Sequence, residues 1–180
     1  MISNLLLPLF AVGLAEIGDK SQLTVLCLSS KTKNYLHLFL GVLLAFILVD
    51  GLAILLGDII SKALPMNIIR TVSGLIFIVF GIVMLRKKEE KVTCSLKNPM
   101  MSGFSLIFLS EMGDKTQFLS GLFAAQYNSF LVFCGIILVL AILSAMTIFF
   151  GHMIYKSISQ KTISMVSGIL FVAIGVLYII

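Results

Sequence analysis

Glu16, Asp19 and Lys20 lie in the run Ala15-Glu16-Ile17-Gly18-Asp19-Lys20-Ser21-Gln22, in the middle of an otherwise apolar stretch. The run recurs 95 residues later as Ser110-Glu111-Met112-Gly113-Asp114-Lys115-Thr116-Gln117. In a lipid-embedded helix each ionisable group costs about 2.5 to 3.5 kcal/mol, so both runs need compensation. Facing one another, the copies would offer the carboxylates of Glu16, Asp19, Glu111 and Asp114, the amide oxygens of Gln22 and Gln117, and the hydroxyls of Ser21 and Thr116. Hard divalent cations such as Mn²⁺ and Ca²⁺ favour six or more oxygen ligands, whereas zinc and copper favour the Cys and His that both runs lack. These eight residues are the expected metal ligands. Four carboxylates against Lys20 and Lys115 leave a net charge of minus two, which one dication neutralises. When the metal leaves, protons take its place, because bare like charges repel in a low-dielectric surround.

Lys20 and Lys115 are read as charge-compensating residues, each one helical turn beyond Glu16 or Glu111 and within pairing reach of it. Gly18 and Gly113 let the two helices bend or unwind between the acids, freeing carbonyls. The competing structural reading is a buried ion network that only locks the two copies together. Asp50, in Val49-Asp50-Gly51, is a further candidate for the metal site or a proton path. Asp58 stands four residues before Lys62 and is expected to pair with it at the membrane interface. His37 and His152 read as solvated or capping residues at helix ends.

The elements that carry these residues follow from composition. Of 180 residues 59% are hydrophobic and 12% charged, with a mean hydropathy of +1.14, too few polar groups to cover a soluble globule. Apolar stretches give spans near Leu5 to Leu28, Leu36 to Ile60, Ile68 to Leu85, Met100 to Ala124, Phe130 to Ile154 and Thr162 to Ile180. A large soluble catalytic domain is excluded. Met1 to Leu14 holds no Lys or Arg, so the first span is expected to be retained rather than cleaved as a signal. Cys27, Cys94 and Cys134 show neither a paired nor a metal-binding spacing, and no disulfide or zinc site is expected.

Beyond the motif, at an offset of 94, Gly41 aligns with Gly135, Gly57 with Gly151, Ser73-Gly74 with Ser167-Gly168, Phe77 with Phe171 and Gly81 with Gly175. Asp50 aligns with Ser144. The expected fold is an all-α integral membrane protein of six transmembrane helices, built as two three-helix repeats, 1–85 and 100–180, around a charged cytoplasmic linker, 86–99. An odd number of spans per copy makes the repeats inverted, with motif helices one and four bent or broken at the midplane. Nine Lys and Arg residues lie in loops on one side, against Lys62 and Arg70 on the other. That balance places the linker in the cytoplasm and both termini outside, and turns the +5 charge toward membrane orientation rather than nucleic acid. The aligned glycines read as close-packing points between helices.

The motif Glu-hydrophobic-Gly-Asp-Lys-Ser/Thr, present twice on the first and fourth spans, resembles the GDT family of cation/proton exchangers, which includes bacterial MneA-type manganese exporters. The resemblance covers essentially the whole chain. It implies a secondary transporter that exports Mn²⁺ or Ca²⁺, manganese ahead of calcium, against protons by alternating access, with the motif acids as ligands. It implies a plasma-membrane protein with no cofactor, the metal being cargo and the proton the coupling ion. Its partners would be a divalent metal ion and the lipid bilayer, with a homodimer compatible and nucleic acid not expected. A divalent cation channel is the alternative within transport. A membrane-embedded hydrolase with paired aspartates, and an accessory subunit, are the alternatives outside it.

Overall fold

The structure, a computed structural model, describes residues 2–17, 19–86, 94–157 and 160–179; the side chains of 2–6, 151–157, 160, 161 and 163 are outside that description. Its elements are α1 (Ile2–Glu16), α2 (Lys20–Ser29), α3 (Tyr35–Ala63), α4 (Met66–Leu85), α5 (Pro99–Glu111), α6 (Lys115–Ala124), α7 (Ser129–Ser157) and α8 (Gln160–Ile179). Among the described residues there is no strand. Helices are the outcome that apolar sequence dictates where water is excluded, because each backbone N–H and C=O then finds its partner within the segment. Three helical stretches, Tyr35–Ala63, Met66–Leu85 and Ser129–Phe150, are long and apolar enough to cross a membrane. Leu48, Leu52 and Leu55 of α3, Val79 of α4, Leu138 of α7 and Leu177 of α8 stand exposed on the outer surface, as a lipid-facing belt requires.

Two expected spans are each divided, and at the residues where the motifs fall. Helix α1 ends at Glu16 and α2 begins at Lys20; α5 ends at Glu111 and α6 begins at Lys115. The residues that cap the second half-helices share one geometry. Asp19 caps α2 with φ −80° and ψ 172°, and Asp114 caps α6 with φ −80° and ψ 165°. The Asp19 N–H donates to the Glu16 carbonyl at 3.1 Å and the Asp114 N–H to the Glu111 carbonyl at 3.0 Å. Gly113 has φ +82°, the left-handed region that a side chain disfavours, and this turn separates α5 from α6. Gly18 lies outside the described residues.

Close helix packing runs through the aligned glycines. A Cβ on Gly74 would stand 2.7 Å from the Gly175 carbonyl oxygen, and one on Gly81 would stand 2.7 Å from that of Gly168. The repeat pairs Gly74 with Gly168 and Gly81 with Gly175, so each of these two contacts between α4 and α8 is the other with its partners exchanged. Nearby, the Phe77 and Phe171 rings, also an aligned pair, lie 5.6 Å apart and are fully buried. On α3, Gly41 abuts the backbone of Met100 in α5, and Gly57 that of Gly121 in α6, both too closely for any side chain. His152, Gly151 and the linker residues 87–93 are not among the residues or side chains described.

The cysteine expectation is overturned. Cys27, near the end of α2, is disulfide-bonded to Cys94, just ahead of α5, and the Lys31 ammonium donates to the Cys94 carbonyl at 2.6 Å. The two cysteines are 67 residues apart and belong to no spacing motif, so only tertiary packing brings them together. Cys134 is free and exposed.

Candidate functional site

Each motif sets its glutamate at the C-terminal end of one half-helix and its lysine at the N-terminal end of the next. The last carbonyls of α1 and α5 carry the partial negative charge of their helix dipoles, which favours a cation beside Glu16 and Glu111. Packing of the broken helices brings the two motifs into direct contact. The Ser21 hydroxyl donates to Glu111 Oε1, and the Thr116 hydroxyl donates to Glu16 Oε2 at 3.1 Å. Ser21 and Thr116 are aligned, as are Glu16 and Glu111, so these bonds are again one contact made twice with the partners exchanged.

The lysines break that reciprocity. Lys115 reaches across to Asp19, bonding Oδ2, and also donates to Oδ2 of its own neighbour Asp114 at 3.0 Å. Lys115 is buried, whereas Lys20 is exposed. The expected pairing of Lys20 with Glu16 and of Lys115 with Glu111 is therefore corrected. A continuous helix would stack residues four apart, but the break between Glu16 and Lys20, and between Glu111 and Lys115, turns each lysine away from its glutamate.

Glu16 and Glu111 are 0% and 1% exposed, and Asp19 is 6% exposed, while the Asp114 side chain is 33% exposed. Glu111 lies within electrostatic reach of Glu16, Asp114 and Asp50, and Glu16 within reach of Asp19, Asp114 and Lys115. Glu16 Oε1, Glu111 Oε2 and Asp50 Oδ2 are buried and accept no hydrogen bond, which leaves three carboxylate oxygens able to bind a cation or a proton. Among the described residues, no three Asp, Glu, His or Cys side chains are gathered in metal-holding geometry. Asp19 and Asp114 instead share the Lys115 ammonium.

Asp50 does join this region: it is 1% exposed and accepts from Ser120 of α6 at 2.6 Å. The glutamines do not face the acids with their oxygens. Gln22 Oε1 accepts from Thr147 of α7 at 2.5 Å, and Gln117 Oε1 accepts from the Gly113 N–H at 2.7 Å, bracing the second break. Ser120 and Thr147 are missing from the residues expected from sequence. Their signal was faint: Ser120 is one helical turn beyond Thr116 on the same face, and Thr147 follows Ser144, the counterpart of Asp50, by three positions. Asp58 pairs with Lys62 at 2.6 Å as expected and also accepts from Ser129 at 2.8 Å, which ties α3 to the start of α7. His37 is exposed.

Buried carboxylates at two interrupted apolar helices that meet each other define an ion-handling membrane protein of the transporter class. The chain belongs to the divalent cation/proton antiporter family GDT1, whose family model matches residues 4–92 and 99–180. It is 31% identical over 129 residues to a Vibrio cholerae protein named "Putative manganese exporter", covering 71% of this chain and 64% of that one. It is 24% identical to a GDT1-like protein of Synechocystis over 95% of this chain and 94% of the relative. A stretch of 87 residues is 36% identical to the divalent cation/proton antiporter GDT1 of Saccharomyces cerevisiae, covering 48% of this chain and 31% of the yeast protein. No solved structure matches the chain.

Proposed function

We propose that the protein exports a divalent cation, Mn²⁺ ahead of Ca²⁺, from the cytoplasm in exchange for protons, through one site shared by both motifs. The pair of crossing bonds, Ser21 to Glu111 and Thr116 to Glu16, is the observation that carries this reading, because it makes the two half-sites a single volume. Glu16, Asp19, Glu111 and Asp114 supply the charge that holds the cation, with Ser21 and Thr116 beside them and Asp50 at the edge. Gln22 and Gln117 keep the breaks and neighbouring helices in place and turn to the cation when it enters. A dication and protons compete for the same carboxylate oxygens, so uptake of one releases the other. The Vibrio cholerae relative named "Putative manganese exporter" supports Mn²⁺ as cargo, and the all-oxygen donor set supports a hard cation.

The two units, 1–85 and 100–180, act as inverted three-helix repeats that rock about the α4 and α8 seam and present the site to each side in turn. Residues 86–99 form the cytoplasmic linker and both termini lie outside the plasma membrane, as the distribution of Lys and Arg directs, which sets the Cys27–Cys94 bridge on the face where thiols are ordinarily kept reduced. The test is reconstitution into vesicles enclosing a pH-sensitive dye, with Mn²⁺, Ca²⁺, Mg²⁺ and Zn²⁺ added in turn. Mn²⁺ and Ca²⁺ should each move protons outward with saturable rates, Mn²⁺ at the lower concentration. Cation entry without proton movement would identify a channel and overturn the exchange.

A further inference from the structure

Among the described residues, two cross-motif hydrogen bonds are reciprocal and the bond of Lys115 to Asp19 is not. Ser21 with Glu111 and Thr116 with Glu16 exchange under the repeat, as do the glycine contacts of α4 and α8, and the Asp19 and Asp114 caps have the same backbone geometry. Lys115 bonds Asp19, yet the aligned bond from Lys20 to Asp114 is not made: Lys20 is exposed and the Asp114 side chain is 33% exposed. In the structure one ammonium group, that of Lys115, stands between Asp19 and Asp114, and the equivalent group of Lys20 stays outside.

We propose that Lys115 and Lys20 trade places during the transport cycle. In the state described, Lys115 is the internal counter-charge that links the two motifs. In the opposite-facing state Lys20 enters to bridge Asp114 and Asp19, and Lys115 swings out. Inverted repeats reach the second state by exchanging the conformations of their two halves, and the exchange carries the single asymmetric contact with it. The pair of lysines thus supplies each metal-free end state with one buried positive charge beside Asp19 and Asp114, and leaves Glu16 and Glu111 to the protons that are exchanged. Metal enters by displacing whichever lysine is inside. This inference rests on the exchange reading above, and deepens it by assigning the lysines a coupling role rather than a ligand role.

The experiment follows lysine modification by mass spectrometry, using an amine-reactive acetylating reagent on metal-free protein in vesicles, with Mn²⁺-driven proton release measured in parallel. In the unsubstituted protein Lys20 should be acetylated quickly, and Lys115 slowly as the opposite state is sampled. Lys20→Gln removes an exposed side chain, so the protein should fold normally. It should slow Lys115 acetylation and proton release together, on the order of tenfold, because the opposite state has lost its counter-charge. Lys20→Arg should restore both. Lys115→Gln should do the converse and protect Lys20 from acetylation. Lys115 labelled in Lys20→Gln at the rate of the unsubstituted protein, or never labelled while exchange proceeds, would overturn the proposal. Absence of proton release from the unsubstituted protein would instead overturn the exchange reading, while the labelling still decides the lysine swap.

Discussion

Ser21 and Thr116 make the same bond in opposite directions across the two motifs, and this sets their expected weight. A hydrogen bond to a charged group contributes about 1.5 to 3 kcal/mol, so Ser21→Ala and Thr116→Ala should each slow exchange by roughly tenfold or more, and by similar factors. Initial rates of Mn²⁺-driven proton release check this; a large effect from one and none from the other would show that the reciprocity has no functional weight. Asp58→Asn, at a carboxylate that bonds Lys62 and Ser129, should leave the rate nearly unchanged. At this scale the identities of the acids were legible because charge in an apolar run is conspicuous. The partners were not. Whether Lys115 meets Glu111 or Asp19 depends on how the chain turns at Met112 and Gly113, and the residue types along the run do not specify the turn.

At the level of helices, apolar length marks three of the expected spans, which the structure shows as Tyr35–Ala63, Met66–Leu85 and Ser129–Phe150; the start of α5, where the Asn98 side chain accepts from the Met101 N–H at 3.2 Å, was not read from the sequence. The division of the two motif helices was legible too, since Gly113 stands between the acids and its φ of +82° is what separates α5 from α6. Gly113→Ala meets no neighbour within 4 Å, so its penalty is conformational, about 1 to 2 kcal/mol, and it should slow exchange while leaving insertion intact. Gly57→Ala is a different kind of change. Its Cβ would stand 2.0 Å from the Gly121 carbonyl oxygen, and α3 would have to leave α6, whereas Gly51→Ala meets only Phe133 at 3.5 Å. Thermal unfolding in detergent should show a clear loss of Tm for Gly57→Ala and almost none for Gly51→Ala; equal loss would mean that α3 and α6 do not pack backbone to backbone.

For the molecule as a whole, the repeat announces itself in the duplicated motif and the aligned glycines, but the link from Cys27 to Cys94 does not, because cysteines 67 residues apart meet only once the end of α2 and the residues just ahead of α5 have packed together. Protein denatured in detergent without reductant should take one maleimide, at Cys134, and three after reduction; three before reduction would show the bridge absent. The placement of the linker is tested by a single cysteine substituted for Lys91, which should resist an impermeant reagent in intact cells if that face is cytoplasmic. The central claim is that both motifs build one exchange site, and Glu16→Gln, Glu111→Gln and the double variant, compared in vesicles for Mn²⁺-driven proton release, test it most directly. Each single variant should abolish release as completely as the double, with protein yield unchanged, because a shared site fails when either half is lost. Single variants that each retain about half of the rate, with only the double inactive, would show two independent sites and contradict the claim.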